Sequence, residues 1–317
     1  MWAVFQALLL EALPFLLIGV SIASLSRRWD PRGSWMQRHL PRRGLLAPLG
    51  GALLGFALPA CECGNVPVAR RLLAVGTSRG TAMGFLFAAP VLNPIVMLGT
   101  WAAFPDRPWL IALRPAGSLL IALLMAGLLE LLPEAELLAS DLLAERRLSQ
   151  PLASASLLER RSGMVGGGGL IDPAIATRTD TAAPSWWELL GHGRRELLEL
   201  GALLVLGSGI AALIQTLVPR QLFLDVGQAP TLSVLSLMLL AMVVSVCSSV
   251  DAFLALGFAD QVTPGALLAF LLLGPVVDLK SISLLGRLFR PRAIALMVAA
   301  VALIVLLIGQ WLNLVLL

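Results

Sequence analysis

The chain has 317 residues, of which 58% are hydrophobic and 13% charged, with a formal net charge of +4. A soluble domain carries about 25% charged residues, so this composition, with a mean hydropathy of +0.89, excludes a soluble globular protein and points to the membrane. The positive balance is no nucleic-acid signal either, because the arginines gather in short stretches between apolar runs, the positive-inside pattern.

Trp2 to Leu25 reads as a first span. It lacks a basic leader and a small-residue cleavage site, and it carries Glu11 and Pro14, so a cleaved signal peptide is not expected. Arg27 to Arg43 is short and strongly basic, which places it in the cytoplasm and the N-terminus outside. Gly44 to Ala60 and Cys61 to Ser78 are each shorter than the roughly 20 residues of a full span. They can cross as two short helices or form a re-entrant hairpin with its tip at Pro59–Pro67, and the hairpin is the preferred reading. Arg70 and Arg71 then serve as anchors near the cytoplasmic face.

Thr81 to Phe104 spans outward, with breaks expected at Pro90 and Pro94, and Trp109 to Leu132 returns after a tight turn. Pro133 to Pro184 is polar and mixed in charge, with a glycine run at 166–169, and reads as a cytoplasmic linker with a helical start near Glu134–Arg147. Ser185-Trp-Trp-Glu188 looks like a capped interfacial helix start. Glu196 to Leu217 spans outward, Thr231–Val246 and Cys247–Val262 form a second short pair, Gly265 to Gly286 returns, and Ala293 to Leu317 exits. The chain is thus divided into a first membrane repeat (1–132), a linker (133–195) and a second membrane repeat (196–317).

The repeats echo one another. Cys247-Ser-Ser-Val-Asp251 answers Cys61-Glu-Cys-Gly-Asn65, Gly274-Pro-Val-Val-Asp278 answers Ala89-Pro-Val-Leu-Asn93, and Glu199 answers Glu11. Loop charges alternate oppositely in the two halves, so they run in opposite directions across the bilayer. The expected fold is an all-α polytopic integral membrane protein, an inverted internal repeat with two broken-helix or re-entrant hairpin pairs. This is the pattern of a secondary transporter.

Helix breaks expose backbone that only protein or a wet cavity can satisfy in a bilayer, and polar side chains beside them mark a solute site. Pro59, Gly64, Pro67, Pro90, Pro94 and Pro275 are read as the breaks. Cys61, Cys63, Cys247, Asn65 and Asn93 are read as substrate ligands, and Asp251, Asp278 and Glu11 as proton carriers, with Lys280 a counter-ion. Soft sulfurs suit trivalent arsenic, Cu(I) or Zn, and Cys61 and Cys63 form the candidate metal pair. The alternative for each cysteine is a small buried hydrophobe, and for each amide or carboxylate a cap on a broken helix.

At Cys61-x-Cys-Gly-x-x-Pro-Val-Ala69, the Gly80–Phe87 run, Ala89-Pro-x-x-Asn-Pro94 and Gly274-Pro-x-x-Asp278, the chain resembles the predicted-permease family DUF318, which contains the ArsP-type organoarsenical efflux permeases. The resemblance implies an inner-membrane efflux permease whose cargo is a trivalent organoarsenical bound through cysteine. A related branch is linked to copper or zinc efflux and carries metal-binding residues in the central loop. Here that loop has no cysteine and, before His192, no histidine. The expected partners are the lipid bilayer and a small thiophilic solute, with no nucleic acid and no cofactor. Homo-oligomerisation is left open. Two other classes remain: a redox enzyme cycling Cys61 and Cys63 through a disulfide, and a membrane subunit that scaffolds a partner through its linker.

Overall fold

A computed structural model describes residues 2–31, 33–41, 44–58, 61–149, 185–217 and 230–316. Pro59, the glycine run at 166–169 and most of the expected outer loop (218–229) lie outside these residues. Among the described residues all extended regular structure is helical.

The first half contains α1 (Trp2–Trp29), α2 (Ser34–His39), α3 (Leu46–Ala57), α4 (Glu62–Ala74), α5 (Arg79–Leu92), α6 (Pro94–Ala103) and α7 (Pro108–Glu130). Two short helices follow, α8 (Glu134–Leu137) and α9 (Ser140–Ser149). The second half contains α10 (Trp186–Leu217), α11 (Pro230–Val244), α12 (Asp251–Leu256), α13 (Pro264–Leu273), α14 (Leu279–Leu285) and α15 (Pro291–Leu316). Among the described residues, five stretches are long and apolar enough to cross a bilayer: α1, α5 with α6, α7, α10 and α15. At 1.5 Å per residue, α3 and α4 reach only about 18 and 20 Å against a hydrocarbon core of about 30 Å.

The halves are built from the same local chemistry. Ser78 caps α5 by accepting the Thr81 N–H, and Thr263 caps α13 by accepting the Ala266 N–H. Asn93 then restarts the chain as α6 by accepting the Ile95 N–H, and Asp278 restarts it as α14 by accepting the Ser281 N–H. In each half the capped helix packs between its neighbours: α5 between α3 and α7, and α13 between α11 and α15. The halves meet where α1 lies on α10, α4 on α14, α6 on α12, and α7 on α13 and α15.

Three residues read as breaks are corrected. Gly64 and Pro67 lie inside α4, and Pro90 lies inside α5. A proline removes one rung of the ladder, but both helices are packed on nearly every side, with all of α4 except Arg70 buried. Neighbours that hold the helix from outside make one lost bond tolerable. The chain breaks instead where a side chain supplies a new start, so Pro94 is the first residue of α6 and Pro275 lies between α13 and α14.

Close backbone contact holds α3 on α5. A Cβ on Gly51 would lie 2.0 Å from the Thr81 carbonyl oxygen, and one on Gly84 would lie 2.1 Å from that of Pro48. Only glycine permits this approach, the small-residue seam of membrane helix pairs.

The start of the segment read as linker belongs to the folded body. Leu137, Leu138 and Leu142 are fully buried. The Ala139 N–H donates to the Leu288 carbonyl and the Arg290 N–H to the Leu137 carbonyl, which ties this strap to the turn before α15. Arg146 donates to the carbonyls of Leu73 and Thr77 at the end of α4. Glu145 pairs with Arg27 of α1 and Arg70 of α4, each at 3.2 Å, and Arg70 reaches Glu196 of α10 at 3.7 Å. Replacing Glu145 by glutamine should cost about 1 kcal/mol at low salt, and less as salt screens the partly exposed ion pairs. Unfolding in mixed micelles at two salt concentrations reads this, and an equal loss at both would show that the contribution is not electrostatic.

Candidate functional site

The site forms where the breaks of the two halves meet. In the first half, Cys61 is extended and precedes α4, with no side chain capping the helix start. Cys61, Glu62 and Cys63 are all buried. In the second half, α11 ends at Val244 and the chain is non-helical until Asp251. Backbone groups freed in this stretch need outside partners. Gln215 of α10 donates to the carbonyls of Val243 and Val244. Ser245, in the left-handed region at φ 48°, accepts the Leu279 N–H through its hydroxyl.

This unwound stretch delivers Cys247 onto the start of α4. The ligand atoms of Cys61, Glu62 and Cys247 all lie within 4.8 Å of one another. Cys247 Sγ is 3.9 Å from Glu62 Oε2. A third element adds charge: Asp278 and Lys280 at the start of α14 are both fully buried, with Nζ 3.9 Å from Oδ2. Glu11 of α1, Glu62, Asp278 and the Cys63 thiol are all within electrostatic reach of Lys280. Three acidic side chains thus lie within electrostatic reach of one ammonium, with Asp278 as its ion-pair partner.

A cavity of about 20 Å³ opens beside Glu62, walled by Val66, Phe87 and Pro90 from the first half and by Pro275, Val276 and Ser281 from the second. Glu62 Oε1 and Ser281 Oγ have no protein partner, and the volume suits one water molecule between them.

The sequence-predicted residues divide. Cys61 and Cys247 come together with Glu62, while Cys63 is buried nearby but outside that mutually close group. The Cys61 thiol also lies within hydrogen-bonding reach of the Cys63 thiol, so the candidate pair Cys61–Cys63 stands beside the group of Cys61, Glu62 and Cys247. Asn65 is fully buried with neither amide atom hydrogen-bonded. Asn93 caps α6, and Asp278 both caps α14 and faces Lys280.

Asp251 is held by a residue that sequence reasoning passed over. Arg114, 1% exposed in the second turn of α7, donates to Asp251 Oδ2 at 2.5 Å, to Thr100 Oγ1 at 2.6 Å and to the Ser248 carbonyl at 3.5 Å. Glu62 was also passed over. The signal for both was available, since an ionisable side chain inside an apolar run is a functional candidate by default.

The sequence profile of the predicted-permease family of ArsP type matches residues 1–314. The chain belongs to this family. It is a membrane transport permease, and the polytopic helical fold agrees with that. The permease is 32% identical over 311 residues to UPF0718 protein YcgR of Bacillus subtilis (strain 168), an alignment covering 96% of this chain and 94% of the relative. It is 28% identical over 304 residues to a Streptococcus mutans protein named "Putative two-component membrane permease complex subunit", covering 96% and 92%. No solved structure matches the permease.

Chemically, the site offers two sulfurs and one carboxylate oxygen. That donor set suits a soft, low-coordinate acceptor. Cys61, Glu62 and Cys247 are 5%, 6% and 3% exposed, so all three donors are buried.

Proposed function

We propose that the permease exports a soft thiophilic solute of the trivalent organoarsenical class, by proton-coupled alternating access between two inverted repeats, 1–132 and 196–317, across the inner membrane. Both termini then lie outside and the central segment in the cytoplasm. The observation that carries this reading is the meeting of Cys247 with Cys61 and Glu62, brought from opposite halves of the chain. A site shared between two halves that rock against each other is exposed to one side or the other, which is the geometry alternating access needs. The matching caps at Asn93 and Asp278 support the repeat.

Binding needs no redox step. Each thiol replaces one hydroxyl on arsenic, its proton leaves with that hydroxyl as water, and arsenic stays trivalent. Cys63, Asn65 and Asn93 serve as further contacts to the solute. Glu11, Asp251 and Asp278 are the proton carriers, each with one oxygen lacking a hydrogen-bond partner.

The test is uptake into everted membrane vesicles of methylarsenous acid, arsenite, Cu(I) and Zn(II). Methylarsenous acid should accumulate, and Cys61→Ser and Cys247→Ser should each lower the rate by at least about tenfold, as loss of a ligand does. Undiminished uptake in both variants would overturn the thiol mechanism, and accumulation of Zn(II) alone would move the cargo to a divalent ion held by the same three residues.

A further inference from the structure

The segment that carries Cys247 has no helical ladder of its own. Between Val244 and Asp251 it is positioned by contacts with other elements. At its start, the Leu279 N–H fixes the Ser245 hydroxyl. At its end, the N–H groups of Val250 and Asp251 both donate to the Cys247 carbonyl, so the placement of Asp251 sets the placement of the cysteine. Asp251 in turn is clasped by Arg114, which also reaches the carbonyl of Ser248, the residue next to Cys247. The guanidinium is anchored behind by Thr100 of α6. Cys61 belongs to the same half as Arg114, and Cys247 to the other.

We infer that Arg114 is the positioning residue of the thiol pair: through Asp251 and Ser248 it holds Cys247 within reach of Cys61, and the site grips its cargo at two points only while this clasp is closed. The inference rests on the cargo reading above for its meaning, but its geometry can be tested with no cargo present. The clasp also crosses from one half to the other, so separating the halves at α6 and α12 opens it and parts the two sulfurs together. Release of a cargo held by two thiols then follows from one motion.

The experiment uses the full chain carrying Cys63→Ser, which leaves Cys61 and Cys247 as the only thiols. Purified protein is treated with dibromobimane, which fluoresces once it has bridged two neighbouring thiols, and in parallel with a single-site maleimide. The parent should give the bridge. Arg114→Met and Asp251→Asn should each lower bridging by about tenfold or more, the scale set by breaking a buried pair, while maleimide labelling is retained or rises. Arg114→Lys, which restores a charge facing Asp251, should recover bridging to within about threefold of the parent.

The deciding variant is Arg114→Met with Asp251→Leu. Removing both charges relieves the burial penalty, so this chain should fold as well as the parent, yet it should still fail to bridge. A clasp that matters only for stability would let the double variant bridge normally, and that result would overturn the inference, as would absence of bridging in the parent. Failure of vesicle uptake for every solute would strike the cargo reading and leave the bridging result intact.

Discussion

Replacing Lys280 by methionine should destabilise the permease by about 3–5 kcal/mol, the cost of leaving a buried partner charge alone. Asp278 is 0% exposed and its Oδ2 has only Lys280 opposite it. Glu62 and Glu11 lie within electrostatic reach of the same ammonium, so its loss removes the cation that faces three acidic side chains. The second substitution Asp278→Asn should recover at least half of the loss. An amide can still accept the Ser281 N–H that starts α14, as Asn93 accepts the Ile95 N–H at the start of α6. Unfolding of the two single variants and the double in mixed micelles gives the coupling directly. Additive losses would show that Lys280 and Asp278 do not act as a pair.

Gly84→Val should cost about 3 kcal/mol or prevent folding, at the upper end of overpacking effects. The atom it adds first, Cβ, would lie 2.1 Å from the Pro48 carbonyl oxygen and 2.5 Å from its Cα. Backbone cannot step aside as a side-chain tip can, so α3 must lift off α5. Because α5 also carries the wall of the cavity at Phe87 and Pro90, the damage should reach the site. Gly127→Ala in α7 provides the contrast: a Cβ there meets nothing within 4 Å, and helix propensity should make the change neutral or stabilising by up to about 1 kcal/mol. Equal losses at both positions would mean that the glycine seam does not set the packing.

Much of this architecture was legible before any coordinates. Apolar runs of span length mark α1, α7, α10 and α15, and the paired polar breaks foretell that residues from both halves share a site. Cys247 could be placed with Cys61 only because its surroundings echo those of Cys61, since nothing in a lone cysteine says what it will meet. The exact breaks were less legible. Pro67 and Pro90 look like breakers in a sequence, yet burial by neighbours carries their helices through, and what ends α5 is the ability of Asn93 to start a new helix. Glu62 is hard to single out in the sequence, because a lone acid between two cysteines does not reveal that its side chain will be buried. Arg114 was overlooked because one cation between Leu113 and Pro115 does not disturb a hydropathy profile, although its partner Asp251 was singled out and had to be neutralised by something.

The strap bears on the order in which the chain becomes a protein. Leu137 and Ala139 find their backbone partners only at Leu288 and Arg290, after which α15 alone remains to be made. A ribosome delivers the N-terminal half first, at about 5–20 residues per second, so α9 can settle on α1 and α4 at once, while the strap must wait through the synthesis of nearly all of the second half before it can close on the turn ahead of α15. Arg70 meets Glu145 of α9 first and Glu196 once α10 is made, both before the strap can close. Closure of the strap is therefore a late event in biogenesis, a checkpoint that a chain truncated before residue 290 cannot pass.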